Sequence, residues 1–149
     1  MEIRRAGPGD LQGILKLCRE HAAHEGAAYP ERERHRALAA ALFGAVPVLY
    51  GWVAGEGGGL AGYMTATLDF STWDARHFVH MDCLYLRPEH RRAGLGWHFL
   101  SELRRFAAAR GCRQIQWQTP PDNDGAIAFY TRLGAAVRPK RRFYLELPV

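Results

Sequence analysis

A short glycine-bearing turn holds the residues with the most evident chemical use. It runs from Arg91 to Gly96, after an apolar, strand-like segment (Phe78–Leu86) and before a helical pattern (Trp97–Arg110). Small residues let the backbone approach a phosphate, and the N–H groups of a helix's first turn lack intrahelical partners. The helix dipole and the charges of Arg91 and Arg92 favour an anion there. The segment therefore predicts a pyrophosphate-binding site.

Two common nucleotide-binding motifs do not fit this turn. No Gly-Lys-Ser/Thr follows it at P-loop spacing, and it is not the G-x-G-x-x-G fingerprint that closes the first strand of a βαβ unit. The pattern is R-x-x-G-x-G, in the middle of the chain. A helix start that merely needs glycines is the alternative interpretation.

The turn and a second block together resemble the GNAT superfamily of N-acetyltransferases. The superfamily's acetyl-CoA motif is Q/R-x-x-G-x-G/A, and its second motif, N-x-x-A-x-x-F-Y-x-x-L-G-A, is similar to Asn123–Ala135. The resemblance covers essentially the whole chain. Phe70–Trp73, the strand into Asp82 and the run Glu20–Glu25 resemble the diamine (spermidine/spermine) and thialysine acetyltransferase branch.

The resemblance implies acetyl-CoA as the acetyl donor and a set of residues that contact it. The backbone of β-strand residues before the turn would pair with the pantetheine amides, the turn would hold the phosphates, and Asn123 would contact the cofactor arm. The implied cofactor-binding residues are Leu84, Tyr85, Leu86, Arg91, Arg92, Ala93, Gly94, Leu95, Gly96, Trp97, Asn123 and Tyr130.

Acetyl transfer to an amine requires a group that removes a proton from the ammonium, because an alkylamine of pKa about 10.4 is mostly protonated at neutral pH. Asp82, on the strand that leads into the turn, is the candidate. The diamine branch has a glutamate at this position. The shorter aspartate favours a water relay or a substrate-anchoring role, and pairing with backbone groups is the structural alternative.

Tyr130 is the candidate general acid, since the superfamily's tyrosine at this position protonates the departing CoA sulfur. A phenol of pKa about 10 stays protonated until a thiolate forms beside it. The alternative is an aromatic core residue. Glu25 and Trp73 are candidate acceptor-binding residues, because the resemblance places an acidic residue and the 70–73 loop along the substrate channel; an exposed glutamate is otherwise ordinary surface.

Composition limits the other function classes. The 149 residues suit one domain, residues 1–149, and a charge of +5 suits a cofactor with several phosphates. No apolar run approaches the roughly 20 residues of a membrane span, so no membrane partner is expected. Cys18, Cys83 and Cys112 are far apart, which indicates reduced thiols in a cytoplasm and no structural zinc; no metal is expected.

Hydrophobic periodicity predicts a mixed α/β fold: a mostly antiparallel central sheet with helices on both faces, as in the GNAT superfamily. Asp10 is expected to cap the first helix, and a glycine-rich turn (55–59) to join two paired strands. The predicted strands are Ile3–Arg5, Val48–Ala54, Leu60–Leu68, Phe78–Leu86, Arg113–Thr119 and Arg142–Leu147. Two helices are predicted to start at Asp10 and at Pro30, and two more to cover Trp97–Arg110 and Ala126–Leu133. The helix after the glycine turn is expected to bury Leu95, Phe99, Leu103 and Phe106.

The sequence thus predicts an acetyl-CoA-dependent N-acetyltransferase that works by direct attack in a ternary complex, with a polyamine or thialysine-like amine as acceptor. An antibiotic (aminoglycoside-like) or protein-lysine acetyltransferase is the alternative within the enzyme class. A non-catalytic acyl-CoA sensor and a basic nucleic-acid-binding module are alternatives from other classes; nucleic acid is not an expected partner, since most aromatics fall at core-like positions. The branch it resembles implies a homodimer.

Overall fold

The computed structural model describes residues 1–56 and 59–149. These residues form two compact units, Met1–Trp117 and Gln118–Val149. The elements of the first unit are β1 (Ile3–Arg5), α1 (Leu11–His24), α2 (Glu31–Phe43), β2 (Tyr50–Ala54), β3 (Gly62–Ser71), β4 (Arg76–Leu86), α3 (Leu95–Ala109) and β5 (Ile115–Gln116). The second unit contains α4 (Asp124–Arg132).

The sheet of the first unit has the order β1-β2-β3-β4-β5. The first three pairs are antiparallel, and β4 pairs in parallel with β5 after the α3 crossover. The predicted mixed, mostly antiparallel sheet is therefore confirmed. The parallel pair is short, since it joins only Val79 to Ile115 and His80 to Gln116.

Helices cover both faces of this sheet. Val53 of β2 packs in a core cluster with Ile14 of α1 and Leu42 of α2. Its neighbour Trp52 meets the ring of Phe106 of α3 at 5.2 Å between centroids. Because successive strand residues point to opposite faces, α1 and α2 lie on one face and α3 on the other.

A β-bulge interrupts the pairing of β3 with β4. Thr65 pairs with Cys83 but Ala66 pairs with Met81, which leaves Asp82 as the extra residue of β4. An extra residue reverses the face that the following side chains meet. Cys83 and Tyr85 accordingly join the core cluster on the α1 side.

Several predicted elements differ from those observed. The strand predicted at Arg142–Leu147 is wrong, and the strand predicted at Arg113–Thr119 contracts to Ile115–Gln116. Residues 142–147 have strand-like alternation, but no ladder joins them to another strand in the described part of the chain, and alternation alone does not make a strand. Phe106 is half-buried rather than buried. The predicted 55–59 turn includes Gly57 and Gly58, which lie outside the described residues.

Asp10 stands at the N-cap of α1, as predicted, but its carboxylate makes no cap hydrogen bond to that helix. It accepts two hydrogen bonds of 2.8 Å from the Arg4 guanidinium and one of 2.8 Å from the Gly7 N–H. Asp10 is only 5% exposed. These bonds, the Arg4 bonds first, hold the pKa of Asp10 below its usual value and tie β1 to the start of α1.

We expect Asp10→Asn to lower the free energy of unfolding by roughly 1–3 kcal/mol at pH 7, because it removes a buried charge-assisted pair with Arg4. A carboxyl whose folded pKa is depressed stabilises the fold above its unfolded pKa of about 3.9 and loses that contribution as pH falls toward the folded value. The difference between wild type and variant should therefore shrink below about pH 4. Urea unfolding of both proteins at pH 7 and at pH 3 measures this difference in unfolding free energy. An equal difference at the two pH values would contradict the stabilising role of the Asp10 charge.

Candidate active site

Within the described part of the chain, one edge of β4 lacks a strand partner beyond the bulge. On its β3 side, β4 is paired as far as Leu86, whereas β5 pairs only with Val79 and His80. From Met81 to Leu86 no strand lies on the other side among the described residues. This stretch can hydrogen-bond an extended ligand as an added strand would.

The turn after β4 has the backbone conformation of an anion cradle. Arg92 and Gly94 are left-handed, with φ of 61° and 81°. An added Cβ at Gly94 would meet no atom within 4 Å, so the space above the turn is open. The first intrahelical bond of α3 runs from His98 N–H to Gly94 C=O, at 3.1 Å. The preceding N–H groups of the helix start, residues 95–97, therefore have no helical acceptor.

The arginines of this turn are placed differently. Arg91 donates through Nε to the Leu86 carbonyl at 2.9 Å and lies over the Tyr85 ring at 5.6 Å, so it braces the end of β4. Arg92 is exposed. Trp97 is 47% exposed, with Arg104 over its ring at 5.3 Å. Arg92 is therefore the side chain most free to meet a ligand phosphate.

Asp82 lies exposed in the bulge, with its Oδ2 3.7 Å from the Cys83 Sγ. Bulges re-aim side chains near the ends of pairing, and this one turns Asp82 away from the ladder. The structural alternative, in which Asp82 pairs with backbone groups, finds no such hydrogen bond in the described residues.

Next to Asp82 in the chain, Cys83 belongs with Cys18 to a pair of half-buried thiols near the buried phenol of Tyr63. Burial raises the pKa of Cys83 to about 12 and also raises those of Cys18 and Tyr63. Both cysteines pack against the core cluster that contains Tyr63. At neutral pH these groups remain protonated, so Cys83 is not a thiolate nucleophile.

The last turns of α1 bring further polar side chains to this face. Glu20 is bound by Arg87 through bonds of 2.9 and 3.0 Å. Glu25 lies with Oε1 3.6 Å from Nε2 of His21, and Nδ1 of His21 lies 2.8 Å from the Tyr63 hydroxyl. No role was predicted from the sequence for His21, Tyr63 or the Glu20–Arg87 pair. The i, i+4 spacing of His21 and Glu25 was the one available signal, whereas the Tyr63 contact crosses from strand to helix.

Trp73 stands at the tip of the β3–β4 hairpin, 98% exposed. The tip is closed by the hydroxyl of Ser71, which accepts from the Asp74 N–H at 3.2 Å and donates to the Asp74 carboxylate at 3.1 Å. The structure therefore does not bring Trp73 into contact with the residues around Asp82.

In the second unit, α4 carries the remaining candidates. The Asn123 side chain accepts from the Ala126 N–H at 3.3 Å and caps the helix, which is the structural role that asparagine favours. Tyr130 is half-buried beside Phe129, and burial raises its pKa to about 12. A phenol in this state holds its proton throughout the neutral range.

Two classes of feature are absent from the residues that the structure describes. No helix there is both long and apolar enough to cross a bilayer. No group of three or more His, Cys, Asp or Glu side chains there is arranged to hold a metal ion.

The chain as a whole is similar to known proteins. The profile of the Acetyltransferase (GNAT) family matches residues 14–135. Thialysine N-ε-acetyltransferase from Bos taurus is 32% identical over 141 residues, 89% of this chain and 82% of that protein. An integron cassette protein from a salt-marsh metagenome superposes with a TM-score of 0.81 and 26% identity, over 99% of this chain and 91% of the other. An aminoglycoside N-acetyltransferase in complex with CoA superposes with a TM-score of 0.75 and 18% identity, over 99% of this chain and all (100%) of the other.

The fold and the site thus define an N-acetyltransferase. The chain belongs to the Acetyltransferase (GNAT) family. The family expected from the R-x-x-G-x-G turn and the Asn123–Ala135 block is confirmed.

Proposed function

We propose that this enzyme transfers the acetyl group of acetyl-CoA to a primary amine of a small molecule, a polyamine or a thialysine-like amino acid. Transfer is direct, in a ternary complex, within a single N-acetyltransferase domain of residues 1–149. The observation that carries the proposal is the unpaired edge of β4, which leads from the Asp82 bulge straight into the turn before α3. The thialysine acetyltransferases among its relatives favour this acceptor class over aminoglycosides.

The residues of the turn suit acetyl-CoA, which supplies the activated thioester. The pyrophosphate would meet the N–H groups of the α3 start and the charge of Arg92, in the open space above Gly94. The backbone of Leu84–Leu86 would pair with the pantetheine amides, except that Arg91 already occupies the Leu86 carbonyl. The full proposed set adds Ala93, Leu95, Gly96, Trp97 and Asn123.

Asp82 and Glu25 are proposed to bind the acceptor ammonium. Among the described residues, no Lys or Arg nitrogen lies within 4.0 Å of either carboxylate, whereas neighbouring Glu20 is neutralised by Arg87. Carboxylates without a cation partner attract a cationic acceptor. Trp73, fully exposed at the hairpin tip, is proposed to contact the distal part of a long acceptor.

Tyr130 is proposed as the general acid. As the tetrahedral adduct collapses, the C–S bond breaks and the Tyr130 hydroxyl gives its proton to the thiolate. The nitrogen loses a proton in the same step, which restores the phenol. A covalent acyl-cysteine route is not favoured, because Cys83 is protonated at neutral pH.

We also propose a homodimer and a cytoplasmic location. Large apolar side chains of the C-terminal segment are exposed, among them Phe143 (90%), Leu145 (86%) and Leu147 (72%), and a second copy would cover them. Sedimentation velocity should give twice the 16.8 kDa chain mass, and a monomer at all concentrations would contradict the dimer. Three free cysteines fit a reducing compartment.

Thiol release from acetyl-CoA, measured with a panel of amines, tests the proposed function. We expect turnover with a polyamine or thialysine and little with a lysine peptide or an aminoglycoside. CoA binding without turnover on any amine would instead support the sensor alternative.

A further inference from the structure

The imidazole of His21 is held in place by aromatic side chains from two strands. Its ring stacks on Tyr85 of β4, with centroids 5.1 Å apart and planes inclined by 20°. It meets the Tyr63 ring of β3 edge-on at 5.9 Å. The His21 side chain is 17% exposed, so one edge of the ring remains open to solvent or ligand.

The two ring nitrogens of His21 face different surroundings. Nδ1 lies 2.8 Å from the Tyr63 hydroxyl, and Tyr63 is 2% exposed. Nε2 lies 3.6 Å from Oε1 of Glu25, which is longer than a direct hydrogen bond. One nitrogen is therefore anchored in the core, and the other faces a half-exposed carboxylate that it does not bond directly.

Titratable groups surround this imidazole from three elements: His24 and Glu25 of α1, Tyr63 of β3, and Asp82 and Tyr85 of β4. Burial has the largest effect and lowers the pKa of His21, whereas the charges of Glu25 and Asp82 act in the opposite direction. The imidazole is thus neutral at neutral pH and able to accept a proton.

Among the described residues, no Lys or Arg nitrogen lies within 4.0 Å of the carboxylates of Glu25 and Asp82, whose charges act on His21. Glu25 faces Nε2, and the charge of Asp82 also acts to raise the pKa of the imidazole. An acceptor ammonium attracted by Glu25 and Asp82 is therefore brought next to a neutral proton acceptor.

We propose that His21, held by Tyr63 and open to Glu25 through Nε2, accepts the proton of the acceptor ammonium, directly or through one water. This inference rests on the proposed function and deepens it. The N–H bond of the ammonium breaks, its electron pair stays on nitrogen for attack, and the proton moves to Nε2. After the product leaves, the imidazolium releases this proton to solvent, so each turnover yields one proton.

The test is the pH dependence of kcat/KM for the acceptor in wild type and in His21→Gln, whose amide does not titrate. The wild-type profile should level off above the imidazole pKa and stay flat until the amine itself titrates, near pH 10. In His21→Gln it should rise continuously toward that pH, with a loss of about 100-fold at pH 7 that shrinks as pH rises. KM for acetyl-CoA should stay within twofold.

His24→Gln is the matched control, because His24 is exposed on the same helix and touches Tyr85 without contacting Tyr63. It should keep the wild-type profile.

A uniform loss in His21→Gln with the wild-type pH profile would show a structural role and overturn the inference. If His21→Gln fails to fold, a wild-type kcat/KM that rises steadily to pH 10 would also overturn the inference. A wild type that acetylates no amine overturns the proposed function itself, whereas an active wild type with an unaffected His21→Gln overturns this inference alone.

Discussion

Replacing Tyr130 by phenylalanine is expected to lower kcat for acetyl transfer by about 100- to 1,000-fold, which is the range for loss of a positioned general acid. KM for acetyl-CoA should change little, because the lost hydroxyl acts on the sulfur only as the C–S bond breaks. Burial raises the pKa of Tyr130 to about 12, so the phenol is protonated at every pH where the enzyme is assayed. The same burial disfavours a charged thiolate, so the departing CoA sulfur accepts a proton from Tyr130 more readily.

Tyr50→Phe is the control for this experiment. It makes the same chemical change in β2, where the hydroxyl accepts a 3.4 Å hydrogen bond from Arg110, and it should leave kcat unchanged. A Tyr130→Phe enzyme with wild-type kcat would remove the general-acid role and leave Tyr130 as a packing residue. Steady-state kinetics with saturating acceptor, together with a thermal melt of each variant, separate the two cases.

Gly62→Ala is expected to disturb the end of β4 although it adds only one methyl group. A Cβ at Gly62 would lie 2.5 Å from the Tyr85 carbonyl oxygen and 2.6 Å from Cδ2 of Leu86. Backbone must shift to admit it, at a cost of about 1–3 kcal/mol, or about 3–10 °C in Tm. Because the shift falls on Leu84–Leu86, we also expect a weaker affinity for CoA.

Gly125→Ala is the matched control, since a Cβ there meets nothing within 4 Å and alanine favours the helix. It should leave Tm unchanged or raise it slightly. Calorimetry gives the Tm values, and titration with CoA gives the affinities. A Gly62→Ala protein with wild-type Tm and CoA affinity would contradict the tight approach of β3 to the end of β4.

The strand–turn–helix unit around Gly94 was predictable, because its signals are local: an apolar strand, a glycine turn and helical periodicity follow one another along the chain. The Asp82 bulge was not. The bulge depends on the register between β3 and β4. In the sequence, the apolar residues of this segment alternate without interruption at Val79, Met81, Cys83 and Tyr85. The bulge splits them between the two faces of the sheet.

The strand predicted at Arg142–Leu147 failed for a related reason. Alternation shows that a segment suits a sheet, but a strand also needs a partner backbone, which the alternation does not supply. The His21–Tyr63 contact was equally invisible, since the two residues are far apart in the chain and meet only after α1 packs on β3. Sequence could identify the strand–turn–helix unit and the family, but not the side chains that the fold gathers around His21.

The central claim, acetyl transfer to a small amine, is tested most directly by thiol release from acetyl-CoA. The panel comprises spermidine, thialysine, lysine, an aminoglycoside and a lysine-bearing peptide, each with wild type and Tyr130→Phe. We predict turnover with spermidine or thialysine that exceeds the peptide and the aminoglycoside by at least about tenfold in kcat/KM, or about 1.4 kcal/mol in transition-state stabilisation, and that is lost in the variant. CoA binding with no thiol release for any amine would contradict the claim.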